Sequence, residues 1–210
     1  MNTKERALKI ITLLKKEYPR ARAALDFTNP LEILVATILS AQCTDKRVNI
    51  VTRPLFKKYK TVKDYADADL MVFENEILST GFYRNKARNI INAAKKIISD
   101  FDGRVPGTMA GLLALPGVAR KTANIVLTSG FGRVEGIAVD THVKRLSGRL
   151  GLSKFYDPVK IEQGLTALVP EKDWGIVNFL LVGHGRAVCS AKKPLHDKCV
   201  LFDLCPSRNI

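Results

Sequence analysis

The chain has 210 residues, enough for one compact unit or two small lobes, and 46% of them are hydrophobic, ample for a core. Its net charge is +14, from 34 Lys and Arg against 20 Asp and Glu. That excess costs self-repulsion, which favours a polyanionic partner over a merely basic surface, and no stretch reaches the roughly 18 apolar residues of a membrane span.

The start, residues 1–19, reads as an amphipathic helix with charges throughout. It has no apolar core or cleavage site of a signal peptide and is not acid-poor like a transit peptide, so the expected compartment is the cytoplasm, with reduced thiols. Asn29, Pro30 and Glu32 supply a cap, a first-turn proline and a third-position glutamate. The segment that follows, LEILVATILSAQ, is apolar almost all round and reads as a buried helix running on to Gln42. A helix over about 84–99 is expected to bury Ala87, Ile90, Ile91, Ala94 and Ile98. Asp102-Gly103 and Pro106-Gly107 break the chain, and helices are expected near 118–129, 140–150, 158–168 and 174–188. No hairpin pattern or repeat is evident, so the fold class is all-α.

The basic residues are dispersed rather than gathered in a tail. Arg84, Lys86, Arg88, Lys95 and Lys96 form one cluster, Arg120 and Lys121 another, and Lys144, Arg145 and Arg149 a third. Such a distribution suits a folded surface that tracks phosphates.

Between two helices lies Leu115-Pro116-Gly117-Val118-Ala119-Arg120-Lys121. Pro and Gly make a tight turn and a helix starts at once, offering outward amides and the positive end of its dipole to a phosphate. An ordinary helix–turn–helix corner would carry the same turn. Lys121 falls in the first turn of that helix, where the dipole and Arg120 disfavour an ammonium ion and favour the nucleophilic amine. A solvated lysine that contacts phosphate is the plainer alternative. Asp140 opens the next helix as a natural N-cap, and a carboxylate beside basic residues is also useful near a developing cation. Val139, Val143, Leu146 and Leu150 mark that helix's buried face, and His142 reads as structural rather than catalytic.

Three of the four cysteines lie in the last 22 residues, which in a reducing compartment points to a metal before disulfides. Cys43 stands apart, in the apolar region after LEILVATILS, and reads as a small core residue.

LPGVARKTAN, then AVDTH some twenty residues on, then HGR before the cysteines, resembles the endonuclease III family of DNA glycosylase/lyases, from LSAQCTD at 39–45 to Cys205. The resemblance implies two helical lobes: a barrel with a helix-hairpin-helix over 23–134, and a second lobe from 1–22 plus 135–210 bearing a C-terminal metal-cluster loop, with the DNA cleft between them. Lys121 falls on the family's catalytic lysine and Asp140 on its catalytic aspartate. Gly117, Val118 and Ala119 fall in the hairpin that grips the backbone, Ala119 standing where a second glycine is common. Alanine is acceptable there if the residue is already helical. Gln42 matches the residue that fills the gap left by a flipped base, Phe82 the wedge that enters the stack, and Asp45 an acidic residue near the pocket.

The family's cluster spacing of six, two and five residues is occupied here by Cys189, His196, Cys199 and Cys205. Histidine therefore stands at the second ligand position. A [4Fe-4S] cluster is implied, with zinc as the alternative, since three cysteines and one histidine also describe a structural zinc site. The closed loop would offer Lys192 and Lys193 to phosphate. The implied activity is excision of oxidised pyrimidines from double-stranded DNA and cleavage of the strand at the abasic site, by a monomer. A one-step glycosylase and a non-catalytic, metal-stabilised DNA-binding module are the alternatives.

Overall fold

The structure, a computed structural model, describes residues 1–209. It is all-helical, with no strand among the described residues. The chain divides into two compact units: Ala23–Glu135, and Met1–Arg22 together with Gly136–Ile210.

The continuous unit holds α2 (Pro30–Leu39), α3 (Asp45–Lys58), α4 (Val62–Ala66), α5 (Leu70–Ile77), α6 (Tyr83–Phe101), α7 (Met109–Leu113) and α8 (Arg120–Phe131). Helix α2 starts as its sequence requires: Asn29 accepts from the Glu32 amide, and Pro30 takes the first turn. The Glu32 carboxylate accepts from the amide and hydroxyl of Thr28. Every residue from Ile33 to Leu39 is buried, so α2 is the central rod, with α8 and α6 packed on it. The helix stops at Leu39 with Ser40 as its C-cap, short of the expected run to Gln42, and Gln42 turns into the left-handed region at φ +52°. Tyr59, Tyr65 and Phe73 form a stacked and edge-to-face ring cluster beneath α4 and α5.

Helix α6 differs from expectation at two points. Ile98 is 42% exposed, because the buried face runs through Ala93, Ala94 and Ile97 and leaves Ile98 at its outer side. Lys86, read as part of a phosphate-facing cluster, is buried.

The second unit is built from two stretches of chain. Helix α1 (Thr3–Glu17) opens with a capping box between Asn2 and Glu5. It lays Ala7, Ile10, Ile11 and Leu14 against α9 (Thr141–Arg149), α10 (Pro158–Leu168) and α11 (Glu171–Ala187). Val139, Val143, Leu146 and Leu150 are all in that core. Beyond α11 the chain has only two 3-10 turns, His196–Lys198 and Phe202–Leu204, and a single fully buried apolar side chain, Leu201.

Candidate functional site

In the continuous unit, α7 and α8 are joined by a tight turn. The Val118 amide donates to the Leu115 carbonyl at 3.2 Å, with Pro116 and Gly117 at the corner. Gly117 has φ +77°, the left-handed conformation its place in a type II turn demands. A Cβ there would also meet the Asn89 side chain at 2.8 Å. Leu115 and Val118 are buried beneath the turn, while Gly117 and Ala119 are exposed. Apolar anchors thus hold the turn with Gly117 and Ala119 at the surface.

Helix α8 then begins with no side-chain cap; its N-cap is Ala119, extended at φ −95°. Ala119 is therefore not helical, as its tolerance was expected to require. A negative φ is what makes alanine acceptable there. Most helices of the chain have an Asn, Thr or Asp side chain over their first amides, and α8 does not. Lys121 is the second residue of α8 and half-buried.

Three further residues singled out for DNA lie in the same unit. Phe82 precedes α6, also without a side-chain cap, in the left-handed region at φ +49° and 63% exposed. Gln42 is exposed on the loop after α2, and Asp45 is the first residue of α3, half-buried.

Asp140 lies in the other unit. Its Oδ1 accepts the Val143 amide at 2.8 Å, making it the N-cap of α9. Among the basic residues of α9, only part remains available to a partner. Arg145 Nη2 donates to the carbonyls of Gly185 and Cys189 and approaches His142 Nδ1 at 3.0 Å. Arg149 donates to the Ser190 and Ala191 carbonyls and to Cys189 Sγ at 3.3 Å. Two of the three residues read as a phosphate cluster are thus structural. Lys144 is exposed, over the Tyr156 ring.

The four residues of the C-terminal spacing come together. Cys189, His196, Cys199 and Cys205 line one pocket, with His184, Arg149 and Phe202 in its wall. Burial, with nearby Cys189, pushes the Cys199 and Cys205 thiols up. Among the described residues no three His, Cys, Asp or Glu are gathered closely enough to hold a single metal ion. Three thiols and an imidazole around one pocket are donor types that suit an iron–sulfur cluster or a structural zinc. Two further groups address the sulfurs: the Arg149 guanidinium, and His184 Nε2 at 3.4 Å from Cys199 Sγ. His184 is 1% exposed, and burial pushes its pKa down to about 4. Its role was not readable from sequence, because its partner lies 15 residues further along. Lys192 and Lys193 are exposed on the loop above, which is shaped by the Ser190 hydroxyl donating to the Lys193 carbonyl.

An exposed hairpin leading into an uncapped helix, a lysine in that helix's first turn and a sulfur-rich tail describe a helix-hairpin-helix DNA-repair protein. Residues 35–171 match the HhH-GPD superfamily of base excision DNA repair proteins, and the chain belongs to that family. It is 55% identical to endonuclease III of Synechocystis sp. over 204 residues, covering 97% of this chain and 93% of that one. It is 47% identical to endonuclease III of Bacillus subtilis, covering 90% and 86%. A solved structure of a trapped endonuclease III–DNA covalent intermediate matches with a TM-score of 0.94 at 42% identity, covering 99% of this chain and 98% of that one.

Proposed function

We propose that the chain is a bifunctional DNA glycosylase and lyase of base excision repair, which removes oxidised pyrimidines and then cuts the strand by β-elimination. The observation that carries this reading is the half-buried lysine in the uncapped first turn of α8, directly behind an exposed hairpin. The hairpin of Gly117, Val118 and Ala119 grips the backbone, the Val118 amide closing the turn and the Gly117 and Ala119 amides meeting the phosphate; such contacts position DNA without reading sequence. A base inside the duplex is out of reach, so the nucleotide is flipped, Gln42 filling the gap and Phe82 wedging the stack. A large apolar side chain held exposed in the left-handed region supports a wedge rather than a packing role for Phe82. Asp45 lies near the flipped base.

The Lys121 amine attacks the sugar C1′ and loses a proton, the C1′–N bond breaks, and the base leaves with its electron pair. The C1′–O4′ bond then opens, O4′ takes up a proton, and a protonated Schiff base forms between C1′ and Lys121. That group withdraws electrons, a proton leaves C2′, and the 3′ phosphate is expelled. Asp140 takes up a proton or stabilises the cationic sugar while capping α9.

Cys189, His196, Cys199 and Cys205 would hold a [4Fe-4S] cluster. When bound, that cluster supplies cross-links for a tail too short to bury a core of its own. Lys192 and Lys193 then present two charges to phosphate. The protein acts as a monomer on the DNA of the cytoplasm.

The test is incubation with thymine-glycol duplex in the presence of borohydride. A covalent protein–DNA adduct and a cut strand are expected. Base release with neither adduct nor cut would reduce the protein to a one-step glycosylase, and no reaction at all would leave a DNA-binding module.

A further inference from the structure

Lys86 is the fourth residue of α6, and only 4% of it is exposed. Its Nζ donates to two backbone carbonyls, Leu39 and Thr80, each at 2.8 Å. Leu39 ends α2, where a helix leaves carbonyls without an intrahelical partner. Thr80 ends the 3-10 turn Leu78–Thr80 that leads into α6.

Three residues beyond Leu39 comes Gln42, and two beyond Thr80 comes Phe82. Both are exposed, and both sit in the left-handed region. Asp102 is the other non-glycine residue there among those described, and it is the C-cap of α6, where that conformation is common. A left-handed residue other than glycine is strained and persists only where its surroundings enforce it.

An apolar side chain would fill the Lys86 position without desolvating an amino group. Burial lowers the Lys86 pKa, while Cys43 nearby acts in the opposite sense. Protonated or neutral, the amine has N–H groups enough for both carbonyls. What an apolar residue would lack is the link between two chain segments separated by some forty residues.

We propose that Lys86 is a positioning residue for base extrusion: its buried amino group fastens the loop carrying Gln42 to the turn carrying Phe82 and fixes the spacing of gap-filler and wedge. The proposal rests on the roles given to those two residues above. The Lys86 amide also donates to the Phe82 carbonyl at 3.1 Å, while its amino group acts on the two segments through the Leu39 and Thr80 carbonyls, and a displacement of about 1 Å in such a group can cost up to a hundredfold in rate.

The experiment compares single-turnover strand cleavage on an abasic duplex and on the same abasic strand alone. The proteins are wild type, Phe82→Ala, Lys86→Met, Lys86→Gln and Lys86→Arg, with folding checked by circular dichroism. Lys86→Met keeps the stem and removes the donors. It is expected to slow duplex cleavage about tenfold or more while single-strand cleavage stays within about threefold, because an unpaired strand has no stack to wedge open. Lys86→Gln, which keeps donors on a shorter stem, is expected to show the same selectivity at smaller size. Lys86→Arg, with donors for both carbonyls, is expected to recover part of the duplex rate. Equal losses on both substrates, no loss, or failure of all three Lys86 variants to fold would each overturn the proposal. If Phe82→Ala is selective for duplex and Lys86→Met is not, the wedge stands and only the fastening role falls. If Phe82→Ala itself loses activity equally on both, the wedge role and this proposal fall together.

Discussion

The hairpin and the C-terminal tail are both short irregular segments, and they are held in opposite ways. The hairpin rests on apolar anchors: Leu115 and Val118 beneath the turn, then Ala123, Val126 and Leu127 along α8. Its polar backbone is left free to meet a ligand. The tail from Cys189 onward has Leu201 as its one fully buried apolar residue. The rest of it is tied by Arg145 and Arg149 to backbone carbonyls, with three thiols and an imidazole around a cavity. A segment closed by core can expose its amides for function; a segment without core must take its order from cross-links. Each region is therefore vulnerable to a different substitution.

The largest effect is expected at Lys121. Lys121→Gln should abolish strand cleavage and the trapped adduct, a loss on the order of 10³ or more, because a nucleophile acts chiefly in the transition state. Affinity for an uncleavable abasic analogue, measured by fluorescence anisotropy, should change little for the same reason. Loss of binding in parallel with catalysis would mean that Lys121 serves the phosphate.

Next comes the tail. The purified protein should be yellow-brown, with about four irons and four sulfides per chain. His196→Ala should lower iron content and open residues 189–209 to limited proteolysis while the continuous unit stays protected. Iron analysis and mapping of the first cuts check this. One zinc and no iron would replace the cluster with a structural ion, and unchanged iron would remove His196 from the ligands.

Asp140 sharpens the comparison from the side of catalysis. Asparagine caps a helix about as well as aspartate, and the cap bond uses only Oδ1. Asp140→Asn should therefore keep stability within about 0.5 kcal/mol of wild type yet slow turnover strongly, whereas Asp140→Ala should also cost about 1 kcal/mol from the lost cap. Chemical denaturation beside single-turnover rates separates the two. Wild-type turnover in Asp140→Asn would leave only the cap.

The smallest effects belong to the hairpin's two small residues. Gly117→Ala forces a side chain into φ +77° against Asn89 and should cost about 1–2 kcal/mol together with DNA affinity. Ala119→Gly, at φ −95°, gains a better N-cap and loses chain stiffness, two terms of about 0.5 kcal/mol that oppose each other. Thermal melts should show a clear drop for the first and almost none for the second.

What could be read in the sequence was local. Asn29 over α2 and Asp140 over α9 are caps whose acceptor and amide lie three residues apart, and the Pro116–Gly117 corner is a turn written in two residues. Helices α4 and α7 have five residues each, too few to show a helical period, and they were not anticipated. Ile98 kept the four-residue spacing from Ala94, but the buried face takes the three-residue step to Ile97 instead. Charge misled where its use was distant. Arg145 and Arg149 looked free for phosphate because their carbonyl partners lie about forty residues on. Lys86 looked like surface because one of its two acceptors is 47 residues away. The roles proposed for Gln42 and Phe82 rest on family likeness, since no local rule marks them, whereas the clustered C-terminal cysteines already pointed to a metal.

The account turns most directly on which atom joins the DNA. Trapping the wild-type protein on thymine-glycol duplex with borohydride, digesting protein and DNA, and sequencing the adducted peptide by mass spectrometry answers that. The sugar remnant is expected on Lys121, in the peptide that begins the α8 helix. A remnant on any other amine, at wild-type yield, would contradict the central claim.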